Sequence, residues 1–140
     1  MRRHHLTGLA LLAGIAWTGT AMAVELTPAY LEGKWTTGSA DNCKAGTHEQ
    51  TVFHKDGTLT TEHKGKTLAV GFWTLTDDKL DMNVLTTESS LPQDVAEALP
   101  GDFHALNIKG LVFDTTDKSF RLVQGIAGEI QGVEMVRCPD

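Results

Sequence analysis

A chain of 140 residues with 12 Lys and Arg against 18 Asp and Glu carries a formal charge of −6, and beyond its first few residues it nowhere gathers its cations into a cluster. Nucleic acid and anionic membrane surfaces both need a concentrated basic face, so neither is expected as a partner. The length supports one hydrophobic core and is short for two ordinary domains.

The first element in chain order is a segment to set aside. Arg2, Arg3, His4 and His5 make a basic start, Leu9 to Trp17 is mostly apolar, and Ala21-Met22-Ala23 fits the small-x-small cleavage rule. Those are the three parts of a secretory signal peptide spanning residues 1–23. The segment is too short and wrongly flanked for a membrane anchor, and no cysteine follows the cut to take a lipid. Removal leaves residues 24–140 as a single domain, two charge units more negative than the whole chain. A periplasmic or secreted location follows, with no anchor after signal removal and a monomer expected. Cys43 and Cys138 are then an even count in an exported chain, which reads as one disulfide. A redox or metal pair is the alternative, but such pairs usually sit close in sequence.

After an approach containing Pro28 and Tyr30, the first strand runs from about Lys34 to Thr37, and Gly38 to Gly46 is a polar loop. The next two strands join at Lys55-Asp56-Gly57, where Gly57 suits the left-handed position of a three-residue hairpin. That hairpin sets Phe53 opposite Leu59, Thr51 opposite Thr61 and Glu49 opposite His63. Phe53 and Leu59 share one face, with Gln50, Glu62, His48 and Lys64 on the other, as in a sheet that is wet on one side. Lys64-Gly65-Lys66 turns the chain again into Thr67 to Leu75. This strand holds Gly71-Phe72-Trp73 with apolar residues on both faces, and cover on both sides is expected. In Lys79 to Leu85, Leu80, Met82 and Val84 alternate with polar residues at a period of two.

Ser90 to Leu99 breaks the pattern. Ser90 and Gln93 have capping-box spacing, Pro92 suits a first turn, and Pro100-Gly101 stops the element, which reads as a short helix with Leu91, Val95, Ala98 and Leu99 on one face. It is a lid or plug candidate for the open end of a sheet or barrel, or simple packing. Strands resume from Phe103 to Phe113, where Gly110 is expected to mark a bulge that shifts Leu111 and Phe113 onto the face of Leu106 and Ile108. Phe120, Leu122 and Gln124 alternate with Arg121 and Val123, Gly125 to Gly128 turns, and a last strand runs from about Ile130 to Arg137. About eight short strands joined mainly by tight turns make an all-β chain, an antiparallel up-and-down barrel or a sandwich.

Leu31, Gly33 and Trp35 at the head of this exported meander resemble the opening motif of the lipocalin and calycin family. The resemblance implies an eight-stranded barrel with Trp35 at its closed end and an arginine of the last strand packed across the indole, the place that Arg137 occupies. Guanidinium over indole is favourable by roughly 0.5 to 2 kcal/mol. Thr36 departs from the family, which usually has a larger residue there, and the middle motif of the family is not apparent. If the last strand pairs with the first, Cys138 lies near the start of that strand and Cys43 beyond its end, so either a very short strand or a loop folded back along it is required.

Four histidines survive signal removal, and His48, Glu49, Glu62 and His63 are near one another on paired strands. The hairpin register places His48 on the face opposite Glu49 and His63, which divides the set, and no metal or other cofactor is expected. No Ser or Cys arrangement matches a nucleophile elbow or phosphate loop, and Asp77, Asp78 and Asp81 lack the spacing of a calcium loop. The chain is read as a binding protein and not an enzyme. An eight-stranded barrel is just wide enough to fill itself or to hold one small ligand. The expected ligand is a small, largely apolar molecule, with Phe53, Trp73, Leu80, Met82 and Leu106 lining the interior and Glu49 and His63 as polar contacts. The alternative is a protein-interaction module, such as an inhibitor of an exported protease or an envelope partner, acting through Val24 to Tyr30 or the Gly38 to Gly46 loop.

Overall fold

The computed structural model describes residues 22–44, 48–87, 103–126 and 128–139. Eight strands follow one another around a closed antiparallel barrel: β1 (Gly33–Thr37), β2 (Gln50–Phe53), β3 (Thr58–His63), β4 (Lys66–Thr76), β5 (Lys79–Thr87), β6 (Phe103–Phe113), β7 (Ser119–Ile126) and β8 (Glu129–Arg137). β8 returns to pair with β1, setting Arg137 opposite Trp35. Closure removes the free edge on which an open sheet would aggregate. A one-turn helix, α1 (Pro28–Leu31), leads into β1, and a 3-10 turn (Ala40–Cys43) follows it. The Ser90–Leu99 helix expected from sequence lies outside the described residues.

The turns follow from local chemistry. Gly57 takes φ +85°, its N–H donates to His54 O, and His54 N–H donates to Thr58 O, which closes the three-residue hairpin. Register then comes out as expected, with Phe53 opposite Leu59 and Thr51 opposite Thr61. The next turn is tighter. Lys64 and Gly65 have φ of 50° and 74°, the mirror-image two-residue turn whose twist matches that of its strands.

Two elements depart from the sequence expectation. β4 is not covered on both faces: Ala69 and Trp73 are buried, whereas Val70 and Phe72 are 48% and 66% exposed on the outside of the barrel. Gly110 is not a bulge, because β5–β6 pairing runs unshifted from Lys79↔Leu111 to Thr87↔Phe103. Alternation therefore continues, Val112 is buried, and Leu111 and Phe113 stay outside. Gly110 supplies space, since a Cβ there would lie 2.6 Å from Leu122 Cδ1. A register shift does occur in β3–β4, between Thr61 and Glu62, where no Gly or Pro marks it in the sequence.

Cys43 and Cys138 form a disulfide across 95 residues, with Cα atoms 5.4 Å apart. The loop folds back to allow it. Gly38 turns the chain at φ +87°, and Asn42 Nδ2 donates to Thr37 O at 2.7 Å, holding the 3-10 turn beside β1. On the other strand, Cys138 N–H donates to Lys34 O at 2.8 Å.

Candidate functional site

One end of the barrel is plugged. Trp35 and Phe120 are fully buried and meet edge to face at 4.7 Å, with Tyr30 5.6 Å from Trp35. An indole buried this deeply needs a partner for its N–H, and Nε1 donates to Leu31 O at 2.8 Å, because α1 ends just below it. The Arg137 guanidinium lies 4.2 Å from the Trp35 ring centroid, and its nitrogens donate to Tyr30 O at 2.6 Å and Glu32 O at 3.1 Å. Gly33 makes room for this, with φ +122° and the site of a Cβ only 3.4 Å from Arg137 Nη1. The Tyr30 hydroxyl shares its one proton between Thr116 O at 2.7 Å and Ser119 O at 2.9 Å. Burial raises the phenol above its ordinary value of 10.0, against the opposing pull of Arg137. Beside this plug, Trp73 stands edge-on to Phe53 at 5.4 Å and donates from Nε1 to His54 O at 3.1 Å.

Above the plug lies a cavity of about 490 Å³, within the usual size of a small-molecule site. Period-two alternation gives it a gradient. Its lower wall is apolar, with Phe53, Leu59, Met82, Leu106, Leu122 and Met135. Toward the strand ends that lead into the β1–β2 and β7–β8 connections, the inward positions become Thr37, Thr51, Gln124 and Gln131, with the carboxylates of Glu49 and Glu129 at the mouth and the apolar Ile126 opposite Glu129 in the β7–β8 register. Gln124 and Gln131 face each other in the β7–β8 register.

Of the residues expected to meet a ligand, Phe53, Met82, Leu106 and Glu49 line this cavity. Trp73 and Leu80 point into the barrel but lie deeper, in its packed core, and are not part of the lining. His63 is not part of it either, and its Nδ1 is buried with no hydrogen-bond partner among the described residues. Sequence reasoning passed over Gln124, Gln131, Glu129 and Met135. A signal for the first existed, because Gln124 continues the Phe120, Leu122 phase. The phase of β8 becomes clear only when Met135 is set opposite Phe120. Among the described residues, no three His, Cys, Asp or Glu side chains converge.

A second concavity of about 670 Å³ lies on the outer face of β3 to β6, walled by Val70, Phe72, Leu85 and Ala105 and bordered by Thr60 and Asn107. Gly71 and Val84 face each other there in the β4–β5 register, and a Cβ on Gly71 would run into the Asn83 carbonyl oxygen and lie 2.9 Å from Val84 Cα. It is larger than the lumen but more open to solvent. The lumen, walled by inward-facing side chains and graded from apolar to polar, is the stronger site for a small molecule.

The segments considered for an interaction surface are anchored. Val24 N–H donates to Thr115 O at 3.0 Å, and Tyr30 is held as described, so the stretch between them lies against the β6–β7 connection. The β1–β2 loop is tied down by the disulfide through Lys44, and residues 45–47 lie outside the described part. No protein-family model, no curated protein and no solved structure matches the chain.

Proposed function

We propose that the mature protein is an exported, periplasmic or secreted binding protein of lipocalin-like build that holds a small, largely apolar molecule inside the barrel. The observation that carries this reading is the 490 Å³ lumen, apolar below and polar at its mouth. Support for lipocalin kinship comes from Arg137 stacked on Trp35 at the plugged end. The disulfide suits an oxidising compartment. Binding is the role assigned, with no reaction and no metal or cofactor.

A second reading, a partner-binding module, is favoured by the exposed Val70, Phe72 and Leu85 on the outer face, since contiguous apolar surface commonly marks interaction sites.

Native mass spectrometry of protein exported by its own host, compared with the same sample denatured, separates the two. A bound small-molecule mass that disappears in Val133→Trp, which fills the lumen, and persists in Phe72→Asp supports the lumen. No small-molecule mass in any sample, together with a stoichiometric protein partner lost in Phe72→Asp, would replace it with the outer face.

A further inference from the structure

The lumen carries charge of one sign only. Two carboxylates, Glu49 and Glu129, belong to its lining, and among the described residues no Lys, Arg or His does. Glu49 immediately precedes β2 and Glu129 opens β8, the two strands that flank β1, so both stand on one side of the mouth with Thr37 between them. Among the described residues neither is in an ion pair. The cations of the β3–β4 turn, Lys64 and Lys66, are exposed and outside the lining. Below the carboxylates come neutral hydrogen-bonding groups, the facing amides of Gln124 and Gln131 and the hydroxyls of Thr51 and Thr61, and beneath those only apolar side chains.

Resting on the reading of the lumen as a ligand site, we propose that it selects amphiphiles with an uncharged or cationic head and discriminates against carboxylates. The apolar floor can accept only a tail, which forces the head into the mouth. There an alcohol or amide finds donors and acceptors already in place. An ammonium adds attraction to two carboxylates. A carboxylate head meets like charge on one side and no lining cation to offset it, and repulsion of this kind is how binding sites reject near-isosteric competitors. The two Glu side chains therefore set specificity more than affinity, because they reach the head and leave the tail untouched.

The test is calorimetric titration of the mature protein at neutral pH and low salt with three amphiphiles of one chain length: decyltrimethylammonium, decanol and decanoate. Decyltrimethylammonium and decanol should bind, with decanoate weaker than the ammonium by about tenfold, as two like charges at close range in a wet site allow. High salt should narrow that gap. In the Glu49→Gln, Glu129→Gln protein the gap should fall to about twofold, which a purely structural role for these exposed side chains would not produce. Decanoate binding as tightly as the ammonium would overturn the selectivity while leaving the cavity occupied, and a gap that survives in the double variant would take the selectivity away from Glu49 and Glu129. Failure of all three to bind, decanol included, would overturn the cavity reading and the selectivity with it.

Discussion

The two ends of the barrel use similar residue types to opposite purposes. At the plugged end each named polar group is directed at a backbone carbonyl: the Trp35 indole N–H at Leu31, the Tyr30 hydroxyl at Thr116 and Ser119, the Arg137 guanidinium at Tyr30 and Glu32. At the mouth, Thr37, Gln124, Gln131, Glu49 and Glu129 face a cavity. Satisfied buried polar groups make a unique, rigid structure, whereas polar groups turned toward a cavity are available to something that is not the protein. Stability should therefore be concentrated at one end of the molecule and recognition at the other.

The sharpest way to break that contrast is at Trp35. Trp35→Ala should destabilise by about 3 to 5 kcal/mol, because it empties the plug and leaves Leu31 O and the Arg137 face without their partner. A urea midpoint equal to that of the wild type would contradict the division. Next comes the bridge that fastens the loop leaving the mouth end of β1 back beside Cys138. Reducing it, or replacing both cysteines with Ser, should cost about 2 to 4 kcal/mol and show as a lower melting temperature.

A smaller effect belongs to the turn below Phe53. The Asp56 carboxylate accepts from Thr58 Oγ1 at 2.6 Å and Thr58 N at 2.9 Å, chiefly the hydroxyl bond holding its pKa below the ordinary 3.8. A lowered folded-state pKa contributes stability that is present above the unfolded value and lost as pH falls through the folded one. Melting temperatures of the wild type and Asp56→Ala should thus differ by a constant amount near neutrality and converge below pH 3.8. A difference that stayed constant through acid would remove the carboxylate from the account. The smallest expected effect sharpens the contrast from the other side. Gln124→Ala and Gln131→Ala should shift stability by no more than about 0.5 kcal/mol while weakening decanol binding several-fold, and a large loss of stability would mean that the mouth is structural after all.

Sequence alone reveals the plugged end better than the mouth, for physical reasons. Gly33 and Trp35 are legible because a large indole in a first strand requires burial and a partner for its N–H, whereas Arg137 is legible only through the resemblance to the lipocalin motif. The Phe53–Leu59 register is legible because Asp56-Gly57 fixes the hairpin locally. Gly110 was open to misreading, since a glycine that bends a strand and one that clears space look alike until Leu122, on the next strand, is placed against it. β4 has apolar residues on both faces, so which face is inward depends on its partners: Trp73 pairs with Met82 and turns in, and Phe72 is left outside. The mouth is written in Thr, Gln and Glu, residues that a strand would equally place in solvent. Only the phase of β8 against β7 turns Glu129 and Gln131 toward the lumen.

The most direct test of the central claim uses Met82 and Met135, both of which line the lumen. With methyl-labelled methionine a chain trimmed to residues 24–140 should give a methyl resonance from each. Titration with decanol should move both, and Val133→Trp should abolish the movement while Phe72→Asp leaves it intact. Two resonances that stay fixed while decanol binds, with the binding lost in Phe72→Asp, would put the ligand on the outer face and contradict the barrel interior as the site.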